Sequence, residues 1–159
     1  MQRVYNSRRL SAALRAVSHI TAILSIAAFL YLLISAYLAK PLYLLFPLFI
    51  LGVPFVTVSL IRRFINAPRP YELLDFYEDK PKNKSGRSFP SRHAFSVFSI
   101  ATLLLFANPP LGALLLIFGA ALAASRVLLG IHFPRDVIAG AIIGITSSLI
   151  GVYIVSLFI

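Results

Sequence analysis

Cysteine is absent from this 159-residue chain, which excludes disulfides and Cys-ligated zinc or iron–sulfur centres. Compartment is therefore not legible from redox chemistry. Acidic residues are scarce too: five Asp and Glu stand against fifteen Lys and Arg, with three histidines, His19, His93 and His132. So few carboxylates offer little to a metal ion, and a metal-free, cofactor-free chemistry is expected. Charged residues make up only 13% of the chain against 59% hydrophobic, with a mean hydropathy of +0.89, which is the composition of a membrane protein. The basic excess could serve nucleic acid, an anionic membrane surface or an anionic substrate. At this hydropathy the expected partners are the membrane and lipid phosphate, not nucleic acid.

The apolar runs predict an all-α, polytopic transmembrane bundle of about five spans, forming one integral-membrane domain over 1–159. Residues 1–18 place Leu10, Ala13, Leu14 and Val17 on one helical face and Arg8, Ser11 and Arg15 on the other, the pattern of an amphipathic helix lying in the interface. The run after it is too long for a signal-peptide core and is expected to be retained. Spans follow at about His19–Ala39, Leu42–Ile61, His93–Ala107, Leu111–Gly130 and Pro134–Ile159. Lys40-Pro41 and Asn108-Pro109-Pro110 make the short turns. Gly140 and Gly144 form a small-xxx-small face suited to packing within the bundle. Hydropathy collapses over 71–90, which is expected to be a loop beside the active site. Its acidic-aromatic half, with Leu73, Leu74, Phe76 and Tyr77, could dip into the interface as a lid.

Counting spans places the 62–92 connection and the 126–136 turn on one membrane face. Arg62, Arg63, Arg69, Ser91, Arg92, His93, Arg126, His132 and Asp136 can then meet in one cationic pocket. Ionisable groups at that depth are costly unless paired or facing a wet cavity. Guanidinium groups suit phosphoryl oxygens, and Ser91 at a helix start could add its N–H and hydroxyl. Histidines supply the nucleophilic and acid–base chemistry that arginines lack. Asp136, four residues after His132, can accept its ring N–H. Each residue alone has an ordinary explanation: Asp136 as a first-turn acid, Ser91 as an N-cap, Arg62 and Arg63 as topology signals. Their co-location favours a site.

Three stretches carry a resemblance: Arg62-x6-Arg69-Pro70, Pro90-Ser91-Arg92-His93, and Ser125-Arg126-x5-His132-x3-Asp136. In order and spacing they resemble the signatures of the type 2 phosphatidic acid phosphatase family, membrane relatives of bacterial acid phosphatases and vanadium haloperoxidases. The resemblance implies that His132 attacks phosphorus to form a phosphohistidine and that Asp136 orients it. His93 would protonate the leaving oxygen and then activate water. Arg62, Arg69, Ser91, Arg92 and Arg126 would hold the phosphate and the transition-state charge. Two positions depart from the family pattern. Arg62 stands where Lys is usual, and Arg92 where Gly is usual. Altered head-group choice and an impaired site are both open, and the first is favoured because each change keeps or raises affinity for anions.

The expected function is a lipid phosphatase acting on a phosphomonoester or diphosphate. Family relatives suggest lipid A 1-phosphate or undecaprenyl diphosphate first, and phosphatidylglycerol phosphate after them. The rivals are an anionic-lipid-binding membrane module and a phosphotransferase with a non-water acceptor. The basic N-terminus argues for a cytoplasmic catalytic face. The resemblance argues for the extracytoplasmic face of a bacterial-type plasma (inner) membrane, and is preferred because these arginines serve purposes other than topology.

Overall fold

In the computed structural model, which describes residues 7–73 and 85–157, the regular elements are helical. They are α1 (Arg8–Ala39), a 3-10 turn (Pro41–Leu44), α2 (Leu45–Ile65), the single-turn α3 (Pro70–Leu73), α4 (Arg92–Ala107), α5 (Pro109–Leu128) and α6 (Pro134–Ser156). Four segments are long and apolar enough to cross a membrane, and α4 is a shorter apolar helix. The polytopic helical bundle is as expected, and each span lies within a few residues of its predicted place except the first, whose helix begins at Arg8 and not near His19.

Helix α4 is the centre of the bundle. Nine of its sixteen residues are buried, whereas the long helices bury four or five each. Those helices turn Ile23, Ile26, Ile34, Ile117 and Ile142 outward. Lipid tails are as apolar as these side chains, so burial in the bundle gains little from the hydrophobic effect, and association rests on close packing and interhelical hydrogen bonds.

The closest packing is between α4 and α6. A Cβ on Gly140 would lie 2.5 Å from the Ser91 carbonyl oxygen, and one on Gly144 would lie 2.5 Å from that of Phe95. One turn further, the Ser99 and Ser148 hydroxyls are 2.6 Å apart. Gly140, Gly144 and Ser148 are thus a stripe at i, i+4, i+8 that faces Ser91, Phe95 and Ser99 at the same spacing. A second polar seam joins α1 to α5, where the Ser18 and Ser125 hydroxyls meet at 2.7 Å.

That second seam changes the expectation for the N-terminus. Interfacial helix and first span are one continuous helix, Arg8–Ala39, and its buried stripe is Ser11, Ser18, Thr21, Ser25 and Leu32. Leu10 and Ala13 are exposed, so the buried side is not the apolar face expected from 1–18. No proline or glycine lies between Arg8 and Ala39 to break the helix, and extending an existing helix costs less than nucleating a new one. The small hydroxyl face also lets α1 approach α5 as a bulky leucine face could not.

The 3-10 turn and Asn108 lie at one end of the bundle, and residues 66–69, 85–91 and 129–133 at the other. Lys40 is the one charged residue at the first end among the described residues. The expected lid residues Leu74, Phe76 and Tyr77 lie outside the described residues, and Leu73 closes α3, exposed.

Gly144→Leu is expected to destabilise the bundle by about 1–3 kcal/mol or more through overpacking against the α4 backbone. A methyl group at Gly52 on α2 would meet no neighbour within 4 Å, so Gly52→Ala should be neutral or stabilising by up to about 1 kcal/mol. Unfolding of both variants in detergent micelles checks the order.

Candidate active site

Backbone and side-chain hydrogen bonds pin the two described ends of the long connection together. Ser88 N donates to Ala67 O at 2.9 Å, Arg69 Nε to Gly86 O at 3.0 Å, and Gly86 N to Glu72 Oε1 at 2.7 Å. Tyr71 N reaches Gly130 O in the α5–α6 turn at 3.2 Å. Gly86 has φ +62, and a Cβ there would collide with the Asn66 side chain, so the crossing depends on glycine. The three motif stretches are brought together by this frame and by the bond from Ser91 N to Asp136 O at 2.9 Å.

His132 lies just before α6, only 2% exposed, and Asp136 in the first turn of α6 is fully buried. Their nearest atoms, Nδ1 and Oδ2, are 3.6 Å apart, too far for the direct hydrogen bond expected from the spacing. Ser88 stands between them. Its hydroxyl donates to Asp136 Oδ2 at 2.5 Å and lies 3.3 Å from His132 Nδ1, placed to accept the ring proton. Asp136 Oδ2 also accepts from Phe133 N at 2.9 Å, so the carboxylate oxygen is drawn toward the helix start and the hydroxyl fills the gap. Asp136 therefore reaches His132 through Ser88. Sequence reasoning missed Ser88 because its partner is 44 positions away and nothing in the spacing links them.

With Nδ1 so held, Nε2 is left for the adjoining cavity of about 480 Å³, which His132 lines together with His93 and the arginines 62, 63, 69, 87, 92 and 126. Among the described residues no Asp or Glu lines it. Arg62 is buried and donates through Nη1 to Pro90 O at 2.6 Å, so it shapes the Pro90–His93 turn as well as lining the cavity. Arg126 lines the cavity from the last turn of α5, its Nε buried without a hydrogen-bond partner among the described residues. Arg92 is exposed, its guanidinium carbon 5.9 Å from the Phe55 ring centroid. Two of the expected residues do not line the cavity: Asp136 sits behind His132, and Ser91 is fully buried, its hydroxyl capping α4 by accepting from Ala94 N at 3.4 Å. The helix start took the hydroxyl, as an ordinary N-cap does. Arg87 is a lining residue that the motifs did not flag.

Burial holds the His132 imidazole below the ordinary histidine value. Arg69 and Arg62 push in the same direction, and Asp136 opposes them. The ring is therefore held neutral at neutral pH, the form in which a ring nitrogen has a lone pair to offer. Among the described residues no group of three His, Asp or Glu side chains gathers as metal ligands.

Comparison with known proteins identifies the family. Bacitracin transport permease protein BcrC of Bacillus licheniformis is 35% identical over 101 residues, 61% of this chain and 50% of that protein. Undecaprenyl-diphosphatase BcrC of Bacillus subtilis (strain 168) is 33% identical over 78 residues, 49% of this chain and 40% of that protein. The matched stretches thus span half or less of these curated relatives. The crystal structure of Aquifex aeolicus LpxE superposes with a TM-score of 0.72 at 28% identity, covering 96% of this chain and 92% of that one. The family model described as PAP2 superfamily matches residues 42–158, which include all three motif stretches, and the chain belongs to that superfamily.

Proposed function

We propose that the chain is one integral-membrane domain that hydrolyses the phosphomonoester or diphosphate head group of a membrane lipid through a phosphohistidine at His132. The observation that carries this reading is a neutral, buried His132, oriented through Nδ1, with its other nitrogen at a cavity lined by six arginines and a second histidine. Nε2 attacks phosphorus, the bond to the lipid oxygen breaks, and His93 supplies the proton that this oxygen takes up. His93 then takes a proton from water, which attacks the phosphohistidine, releases inorganic phosphate and restores His132. Arg62, Arg69 and Arg126 meet the charge of the in-line transition state, and Arg92 stands on the leaving-group side of the cavity. Arg126 has a donor still unspent for that purpose. Ser91 acts through the start of α4 and not as a direct ligand. Ser88 and Asp136 are positioning residues that hold the His132 tautomer.

The substrate reading draws on similarity to a protein named undecaprenyl-diphosphatase and on the family resemblance, which adds lipid A 1-phosphate and phosphatidylglycerol phosphate as candidates. The catalytic face is proposed to be extracytoplasmic. The arginines at that end are engaged in the cavity and in α1, where Arg15 bonds Ser11 at 3.0 Å, so their count is a weak guide to topology.

Phosphate release from these lipids in detergent is expected to persist in EDTA, to be blocked by vanadate and to fall to background in His132→Ala. Release that survives His132→Ala would overturn the mechanism. Ser88→Ala should lower kcat by about tenfold to a hundredfold with little change in KM, the loss of one charge-linked hydrogen bond. Because protonation of His132 is disfavoured, the acid limb of wild-type kcat/KM, corrected for substrate ionisation, should lie below about pH 6.5; a limb above it contradicts the neutral-nucleophile reading. The chain has no cysteine, so a single Ser85→Cys variant reports the face: labelling by an impermeant maleimide in intact cells is expected, and labelling only after lysis would reverse the orientation.

A further inference from the structure

The six cavity arginines fall into two groups. Arg62 and Arg69 are anchored to the backbone beside the motif turns, at Pro90 O and Gly86 O, and both act electrostatically on His132. Arg126 belongs with them, since its own carbonyl accepts from His132 N at 3.2 Å. The other group is Arg63, Arg87 and Arg92. All three are exposed, and none has a carboxylate or hydrogen-bond partner among the described residues. Two of them stand on helices that frame the cavity: Arg63 in the last turn of α2 and Arg92 at the start of α4. Arg92 leans on the Phe55 ring, a contact that holds a guanidinium in place without neutralising it.

A phosphoryl group carries about two negative charges, which the inner arginines can meet. Three further cations in the same cavity, with no acid among its described lining residues to offset them, repel one another and the inner set. A second anion beside the first relieves that repulsion. The cavity, at about 480 Å³, is large enough to hold one.

We propose that Arg92 and Arg63 form an outer anion subsite that holds the second phosphoryl group of a diphosphate, so that the chain selects lipid diphosphates over the monophosphates of the same lipids. The inference rests on the phosphatase reading above. Nε2 of His132 attacks the terminal phosphorus, and the bond from that phosphorus to the bridging oxygen breaks. The electron pair stays on the bridging oxygen, which departs as part of the lipid monophosphate. Its new negative charge develops beside Arg92 and Arg63. Water then cleaves the phosphohistidine, and the products are inorganic phosphate and the lipid monophosphate. A phosphate leaving group needs a proton less than an alkoxide does, so for this substrate fixed cations at the leaving oxygen matter more than the acid. Arg92 is the discriminating residue because Gly, usual in the family at this position, offers no side-chain charge.

The test compares farnesyl diphosphate with farnesyl monophosphate, which share one prenyl chain. Wild-type protein should show the higher kcat/KM on the diphosphate. Arg92→Gly should lower the diphosphate-to-monophosphate ratio of kcat/KM by about tenfold or more, the loss of one charge-assisted contact, with Arg92→Lys between the two. An equal fall on both substrates, or a wild-type preference for the monophosphate, overturns the proposal. Binding to the inert His132→Ala protein is measured separately by calorimetry, with inorganic pyrophosphate against inorganic phosphate. Pyrophosphate should bind about tenfold tighter, and Arg92→Gly should abolish that difference. Absence of phosphate release with the pyrophosphate preference intact would sink the phosphatase reading and keep the subsite. Equal binding of the two anions would sink the subsite whatever the turnover. Arg92 is exposed, and a melting curve matching wild type shows that the variant is folded.

Discussion

The distance between the α4 and α6 backbones is the quantity on which the rest of this protein depends. Gly140 and Gly144 let α6 settle against the carbonyls of Ser91 and Phe95, where any side chain would intrude. That contact is structural, yet it also positions the chemistry. The same two helices begin at the cavity, one with Arg92 and His93, the other with Asp136 just inside its first turn. Ser91 N bonds Asp136 O at the top of the seam, so the two histidines inherit their spacing from the glycines below. In lipid, where apolar burial gives helices little reason to associate, such an approach has to come from shape and hydrogen bonds. The paired serines at 99 and 148 extend it toward the other end of the bundle.

Concentrating arginines around a cavity whose described lining holds no acid is unfavourable for the empty protein, and the structure limits that cost in two ways. Arg62 and Arg69 are bound to carbonyl oxygens, whose partial negative charge offsets part of theirs. The carboxylate that could have neutralised them, Asp136, is instead enclosed by Ser88 and the Phe133 amide, out of the cavity lining. Keeping that acid behind His132 preserves the positive field where an anion would sit and lets the field hold the imidazole neutral. A carboxylate in direct contact with the arginines would have weakened both effects.

Much of this architecture is legible in the chain itself. Long apolar runs with prolines at their ends mark membrane helices reliably, because the bilayer imposes a length. Charged residues at the ends of such runs stand out because they are costly there, which is why Arg62, Arg69, Arg126, His132 and Asp136 group together on spacing and hydropathy alone. Ser88 does not. A serine in a polar loop carries no periodicity, and its role depends on a tertiary contact with His132. Ser91 shows a different limit: capping and phosphate binding ask for the same residue at the same place, and only the direction of the hydroxyl separates them. At α1 the apolar pattern misleads because the buried face is the hydroxyl-bearing one, suited to closeness with α5.

Phe55, on which the Arg92 guanidinium rests, belongs to the outer wall of α2 and is 40% exposed. It is a surface that a hydrocarbon chain can touch, while the guanidinium above it lines the arginine-rich cavity. One aromatic ring is therefore both open to an apolar chain and in contact with a cation. Whatever a bound chain does to the tilt of that ring is transmitted to the cation resting on it. For the lipid substrate proposed above, recognition of the chain and recognition of the charge would not be separable quantities, and their free energies of binding are not expected to add.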